Sequence, residues 1–377
     1  MSSSGPGDGA GRPAAGAAVL ASELPDVRNR LIDYLRLGPA QNLTREVLAM
    51  HVASGLQLPA DPAVRDPRRQ ADLLITNELT RLRNARLFWV SPDMTALCQA
   101  EAGTMPAFRP GRGDLPAPCG LMYFAAPLGR YKPLPRIILE QGGGASAVLP
   151  GEPVPVCAVT WSPWNANGAW PGGGTWFTFY SRPPLDLGGL AGRYGLRPED
   201  AARIRVPPLM IDNELACPAW ETVPLERPLE DAVGDPDSLF AWMHLVLCAA
   251  RIMAASRLAA VTAQPLPRHV RKRSRSAGVM APEDPVRLVD IQATRPRRQA
   301  SGEDARHGSP QVRFRVSTHW RNQWYPRSGV HRPVLIDEFI KGPPGAPFRA
   351  LRKVYVLRRP GETVRPPRPD AGQELEP

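Results

Sequence analysis

The stretch TWFTFYS, Thr175 to Ser181, puts Trp176, Thr178 and Tyr180 on one face of an extended strand and Phe177 and Phe179 on the other. Neither face is charged, and both carry large rings. A strand of this kind sits inside a sheet that is covered on both sides. The alternative is an exposed aromatic platform on which flat ligands stack. Upstream, Val154–Ser162 has a similar texture, and Asn165–Gly174 between them is rich in Asn and Gly, so the two segments read as a hairpin.

Further strands are expected at Leu87–Val90, Cys119–Ala125 and Pro285–Thr294. Helices frame them. Leu24, Val27, Leu31, Tyr34 and Leu35 share one helical face, followed by Gly38 as a stop. A short helix is expected over Thr44–Ser54. Asp66-Pro67 and Ser91-Pro92 each combine an N-capping side chain with Pro at the first helical position, opening helices that end near Arg86 and Gly103. Ser238–Val261, SLFAWMHLVLCAARIMAASRLAAV, is the most apolar segment. His244, Arg251 and Arg257 interrupt it, and its uninterrupted runs fall short of the roughly 20 residues a membrane span needs. It reads as a core helix over 237–262, capped by Asp235 or Asp237, with His244 as a satisfied core histidine.

The expected fold is therefore α+β: N-terminal helices, a central antiparallel sheet, one long core helix and a terminal strand-turn-strand unit. At 377 residues the chain exceeds one average domain. The division expected is a disordered 1–22, a helical 23–114, an α+β core over 115–264, a basic linker over 265–284, a basic aromatic strand-rich module over 285–360 and a disordered 361–377. Residues 183–235 are Pro-rich and irregular, with a short helix near Pro198–Ile204. The strand at Pro285–Thr294 is also free to return to the central sheet.

Charge is distributed unevenly. Pro265–Pro360 holds 21 Arg or Lys against 7 Asp or Glu, whereas the whole chain is only +11. Arg far outnumbers Lys, as GC-rich coding of the actinobacterial kind produces. The local excess favours a polyanionic partner for the C-terminal quarter: nucleic acid, an acidic protein surface or a membrane face. A solvated basic surface is the plainer reading. The Cys residues (Cys98, Cys119, Cys157, Cys217 and Cys248) are odd in number and never in C-x-x-C spacing, which excludes a disulfide framework and favours a reducing cytoplasm.

The chemistry-bearing residues concentrate in Val312–Arg359. Val312, Phe314 and Val316 alternate with Arg313, Arg315 and Ser317; HWRNQWY follows at His319–Tyr325; Val334-Leu335-Ile336 is a buried-strand run; Gly342–Gly345 is a turn; and Lys353–Arg359 is a closing strand. Aromatic rings interleaved with guanidinium groups suit single-stranded nucleic acid, because rings stack on bases while Arg meets phosphate. The binding candidates are Arg313, Arg315, His319, Trp320, Arg321, Gln323, Trp324, Tyr325, Arg327, His331 and Arg332. The competing reading packs Trp320, Trp324 and Tyr325 on the core edge beneath Arg side chains. His319 and His331 are the weak catalytic candidates, as general bases or, with Asp337 and Glu338, as metal ligands of a histidine-dependent nuclease. The segment lacks a dense carboxylate set, and no Gly-rich phosphate loop, nucleophile elbow or known nucleic-acid-binding motif is present. No cofactor or metal is expected.

The stretch HWRNQWYP from His319, then His331-Arg332-Pro333 and Lys341-Gly342-Pro343, resembles the end of a group of actinobacterial and phage or plasmid proteins. More distantly it resembles the C-terminal module of a type V-A anti-CRISPR family. Leu115–Leu121, LPAPCGL, is similar to a strand entry in those proteins. The resemblance implies a non-enzymatic binding protein of mobile-element origin, whose anti-CRISPR members suppress production of the effector by recognising its nascent chain. Three functions therefore stand open: a nucleic-acid or ribonucleoprotein binder, a protein-binding inhibitor, and a nuclease.

Overall fold

The computed structural model describes residues 19–38, 40–42, 45–46, 64, 66–106, 108, 112–131, 136–139, 145–149, 153–164, 173–182, 207–218, 237–255, 257–292, 312–343 and 345–348. The helices are α1 (Leu24–Leu35), α2 (Pro67–Asn84), α3 (Pro92–Ala102), α4 (Leu239–Ala255) and α5 (Arg268–Ser276). The strands are β1 (Arg86–Val90), β2 (Gly120–Phe124), β3 (Gly129–Tyr131), β4 (Arg136–Leu139), β5 (Ala145–Leu149), β6 (Val154–Trp164), β7 (Gly174–Ser181), β8 (Met210–Pro218), β9 (Ala259–Gln264), β10 (Val286–Ile291), β11 (Phe314–Val316), β12 (His319–Tyr325), β13 (Val330–Ile336) and β14 (Phe339–Lys341). Two compact units contain them. One comprises the described residues of 19–292 and 318–337, the other those of 312–317 and 338–348.

The chain combines helices with a mixed sheet, α+β in class. In the larger unit the sheet runs β8-β7-β6-β2-β1-β10-β9, with β3 also pairing with β6. Strand β1 runs parallel to both β2 and β10, and the other pairings are antiparallel. The purely antiparallel sheet expected from the hairpin texture is thus corrected at its centre. The reason lies in the connections: α3 and the segment after it carry the chain back to the end where β1 began, so β2 enters alongside β1.

Alternation along the strands builds two apolar layers. Phe88, Val90, Met122, Phe124, Val159, Trp161, Phe177 and Phe179 meet α3 and α4 on one side. Leu87, Leu121, Tyr123, Ala158 and Tyr180 meet α1, α2 and α5 on the other. All of β7 is buried, which excludes the exposed platform and bears out the doubly covered strand. Gly120 is required here. A Cβ at that position would collide with the Trp161 ring, whose indole N–H donates to the Ala117 carbonyl at 2.8 Å.

The helix starts fall where the caps predict. Asp66 accepts from the Arg68 N–H and Ser91 from the Met94 N–H, both at the heads of Pro-initiated helices. Helix α4 departs from expectation at both ends. Ser238 Oγ caps it, accepting from Ala241 N at 3.2 Å, while Asp237 accepts from Arg130 N instead. It stops at Ala255 because Ala259–Gln264 pairs along its whole length with β10. No helix among the described residues is long and apolar enough to cross a membrane.

The stretch read as a basic linker contains α5. Its buried positions, Leu266, Val270, Ser274 and Ala277, recur at helical spacing beneath the charges and pack against α1. Buried Arg28 of α1 donates to Ala85 O and Ser274 Oγ, and Asn29 donates to the same hydroxyl. Burial lowers the Arg28 pKa to about 10, with Asp284 opposing the shift, so Arg28 keeps its charge at neutral pH. Residues 19–22, expected to be disordered, are anchored: Val19 N donates to Tyr123 Oη and Trp89 Nε1 to Val19 O. Strand β8 lies in the stretch read as irregular. The expected elements at 198–204 and 353–359, most of the one at 44–54, and the tail 361–377 lie outside the described residues.

Candidate functional site

Strands β12 and β13 form an antiparallel ribbon in the larger unit, with Trp320 opposite Leu335, Gln323 opposite Arg332 and Trp324 opposite His331. Its base is docked. Leu335 is buried in the layer containing α4, and half-buried Trp320 packs on the same layer while its indole N–H donates to Glu101 O at 3.0 Å. Further along the same face, Trp324 is 45% exposed, and its ring meets that of His331 at a centroid distance of 4.9 Å, tilted by 47°. The ribbon therefore runs past the edge of the core. A face that is apolar contact at Trp320 meets solvent at Trp324.

An ion cluster holds the ribbon down. Asp114, buried, accepts from Arg251 Nη1 at 3.0 Å and from Arg332 Nη1 through the same oxygen, Oδ1. Arg251 Nε also donates to Pro333 O at 3.1 Å. An Arg inside an apolar helix demands such a partner, because an unpaired buried guanidinium is expensive. Arg251 thus signalled a buried acid in the sequence, although not which one. Beside the cluster lies a cavity of about 290 Å³ lined by Arg251, Ala254, Tyr325, Ser328 and Arg332.

The eleven binding candidates separate. His319, Trp320, Arg321, Gln323, Trp324, Tyr325, Arg327, His331 and Arg332 belong to the ribbon and its turn, in the larger unit. Trp324, Tyr325, Arg321, Arg327 and His331 are exposed, whereas Trp320 is committed to packing. Arg313 and Arg315 belong to the smaller unit, where β11 pairs with β14. There Arg313 Nε donates to Ala346 O at 2.8 Å and Arg315 pairs with Glu338. Strand β10 belongs to the main sheet, and the described residues that follow it divide between the two units.

His319 and His331 do not converge. Register places them on opposite faces of the ribbon and five positions apart, roughly 17 Å along a strand. No cluster of three or more His, Cys, Asp or Glu suited to a metal ion occurs among the described residues. His244 is a buried histidine whose Nε2–H donates to Ala102 O at 2.7 Å, and burial lowers its pKa. The basic residues of α5 are largely answered within the fold: Arg271 and Arg275 pair with Glu283, and Arg273 with Asp26.

No known family matches the chain, and no curated protein is significantly similar to it. The resemblance of the HWRNQWYP stretch rests on the quoted residues alone.

One buried polar cluster escaped the sequence. Glu78 of α2 accepts from Arg81 Nε at 2.7 Å, from Thr160 Oγ1 and Thr178 Oγ1 at 2.9 Å each, and from Tyr180 Oη. Arg81 also lies over the Trp176 ring, 5.7 Å from its centroid. All five polar side chains are almost fully buried, and burial beside Glu78 pushes the Tyr180 phenol well above its ordinary range. The cluster joins α2 to β6 and β7. Its closure from solvent marks it as a structural tie. Glu and Arg three apart on a helix ordinarily read as a surface pair, so only the opposed Thr and Tyr of the sheet reveal it.

Proposed function

We propose that the chain is a non-enzymatic binding protein of the cytoplasm whose β12–β13 ribbon contacts single-stranded nucleic acid. Exposed Trp324, at the end of a ribbon anchored rigidly at Trp320 and Leu335, is the observation that carries this reading. A ring held on a fixed support offers a base a stacking surface with little ordering cost. Arg327, exposed in the turn at the same end of the ribbon, supplies a phosphate contact, while Tyr325, Arg321 and Arg332 alternate to the ribbon's other face. Trp320, Arg313 and Arg315 leave the contact set, since their polar groups are engaged elsewhere. Opposed faces for His319 and His331 disfavour the nuclease reading.

The test is the affinity of a labelled single-stranded oligonucleotide measured across a salt series. Affinity should fall steeply with salt, Trp324→Ala should weaken it by about 1–3 kcal/mol, and Arg327→Ala should reduce the salt slope by about 1. Binding that is absent or independent of salt overturns the reading. Capture of a partner that survives nuclease treatment and depends on Trp324 points instead to an acidic protein surface, the inhibitor reading.

A further inference from the structure

The cavity beside Asp114 carries more positive charge than its own carboxylate answers. Arg251 and Arg332 meet one oxygen of Asp114, a formal excess of one positive charge at a partly desolvated position. Arg251 is only 5% exposed. A guanidinium has five N–H donors; the bonds described for Arg251 engage its Nε and Nη1, and the bond described for Arg332 engages its Nη1. Tyr325 and Ser328 add hydroxyl-bearing side chains to the wall, and no acidic residue lines it among the described residues. These groups come from α4, both strands of the ribbon and the turn between them.

We propose that this cavity binds a phosphate group. Two guanidinium groups with hydroxyl donors from separate elements suit a tetrahedral anion with several acceptor oxygens better than a planar carboxylate. The bound anion would offset the excess charge, and a volume of about 290 Å³ admits phosphate with part of an attached sugar. Only the source of the phosphate rests on the ribbon reading: it is then a backbone phosphate of the strand whose base stacks on Trp324. The cavity itself stands on Arg251, Arg332 and Asp114.

The experiment titrates inorganic phosphate into the full chain by calorimetry, and then repeats the titration in competition with a single-stranded oligonucleotide. The probe variants are Arg332→Gln, which keeps the buried Arg251–Asp114 pair, and Ala254→Phe, which fills the cavity without altering charge. Circular dichroism confirms that each is folded. Phosphate should bind the unaltered chain, and each variant should weaken it roughly tenfold or more, the worth of a lost charge-assisted contact. No phosphate binding by the unaltered chain, or equal binding by Arg332→Gln, overturns the proposal. Oligonucleotide binding that neither phosphate nor Arg332→Gln weakens also overturns it, while leaving the ribbon reading intact. Phosphate binding without oligonucleotide binding supports the cavity and defeats the ribbon reading.

Discussion

Two seven-residue aromatic stretches, TWFTFYS in β7 and HWRNQWY in β12, have opposite fates. Strand β7 has sheet neighbours on both edges and helices on both faces, so every side chain is buried. Strand β12 has one partner, β13, and only the Trp320 end of one face reaches the core. Ring content alone does not separate a core strand from a binding strand. Neighbours do, together with the charges in between: Arg321 and Gln323 in β12 occupy positions that Phe177 and Phe179 fill in β7.

The largest effect expected from breaking this contrast lies on the β7 side. Glu78→Ala removes the carboxylate that faces the buried Arg81 guanidinium beside β7 and should cost about 3–5 kcal/mol in urea unfolding. Replacing Glu78 and Arg81 together by Leu should recover part of that loss. Recovery of nothing would show that the hydroxyls of Thr160, Thr178 and Tyr180 carry the effect.

A smaller and sharper comparison sits within β12. Trp320→Ala removes a half-buried ring and its bond to Glu101 O, and should cost about 2–3 kcal/mol of stability. Trp324→Ala should change stability by under about 0.5 kcal/mol. Equal stability losses would mean that the ribbon packs along its whole length, and the division of the two rings into anchor and contact would fail.

The smallest effect is a pH dependence on the α4 side of β7. Burial lowers the pKa of His244 below the usual imidazole value of 6.5. Below that value the unfolded chain binds a proton that the folded chain refuses, so stability contributed by neutral His244 is present above about pH 6.5 and declines as pH falls toward the folded value. Urea midpoints between pH 7.5 and 5 should fall less steeply in His244→Gln than in the unaltered chain. Identical slopes would place the acid sensitivity elsewhere.

Much of the fold was legible because its signals are local. The capping pairs Asp66-Pro67 and Ser91-Pro92, the hairpin of β6 and β7, and the buried strand at Leu87–Val90 each follow from a few adjacent residues. Helix α5 was missed because its charges outnumber Leu266, Val270 and Ala277, whose spacing carries the helix. Asp114 was missed because nothing near it in sequence marks it as the partner of Arg251 and Arg332, 137 and 218 residues away.

The sequence by itself determined many of the extended and helical segments, though not α5, β8 or β9, and it determined that β7 is covered on both faces and that rings and guanidinium groups gather near His319–Arg332. Those properties arise from side-chain periodicity and backbone capping, which act over a few residues. Only the tertiary structure decided that β1 lies parallel between β2 and β10, that Trp320 anchors while Trp324 faces solvent, and that two arginines converge on Asp114 beside a cavity. Exposure and charge pairing depend on what arrives from distant parts of the chain, and distance along the sequence does not encode that arrival.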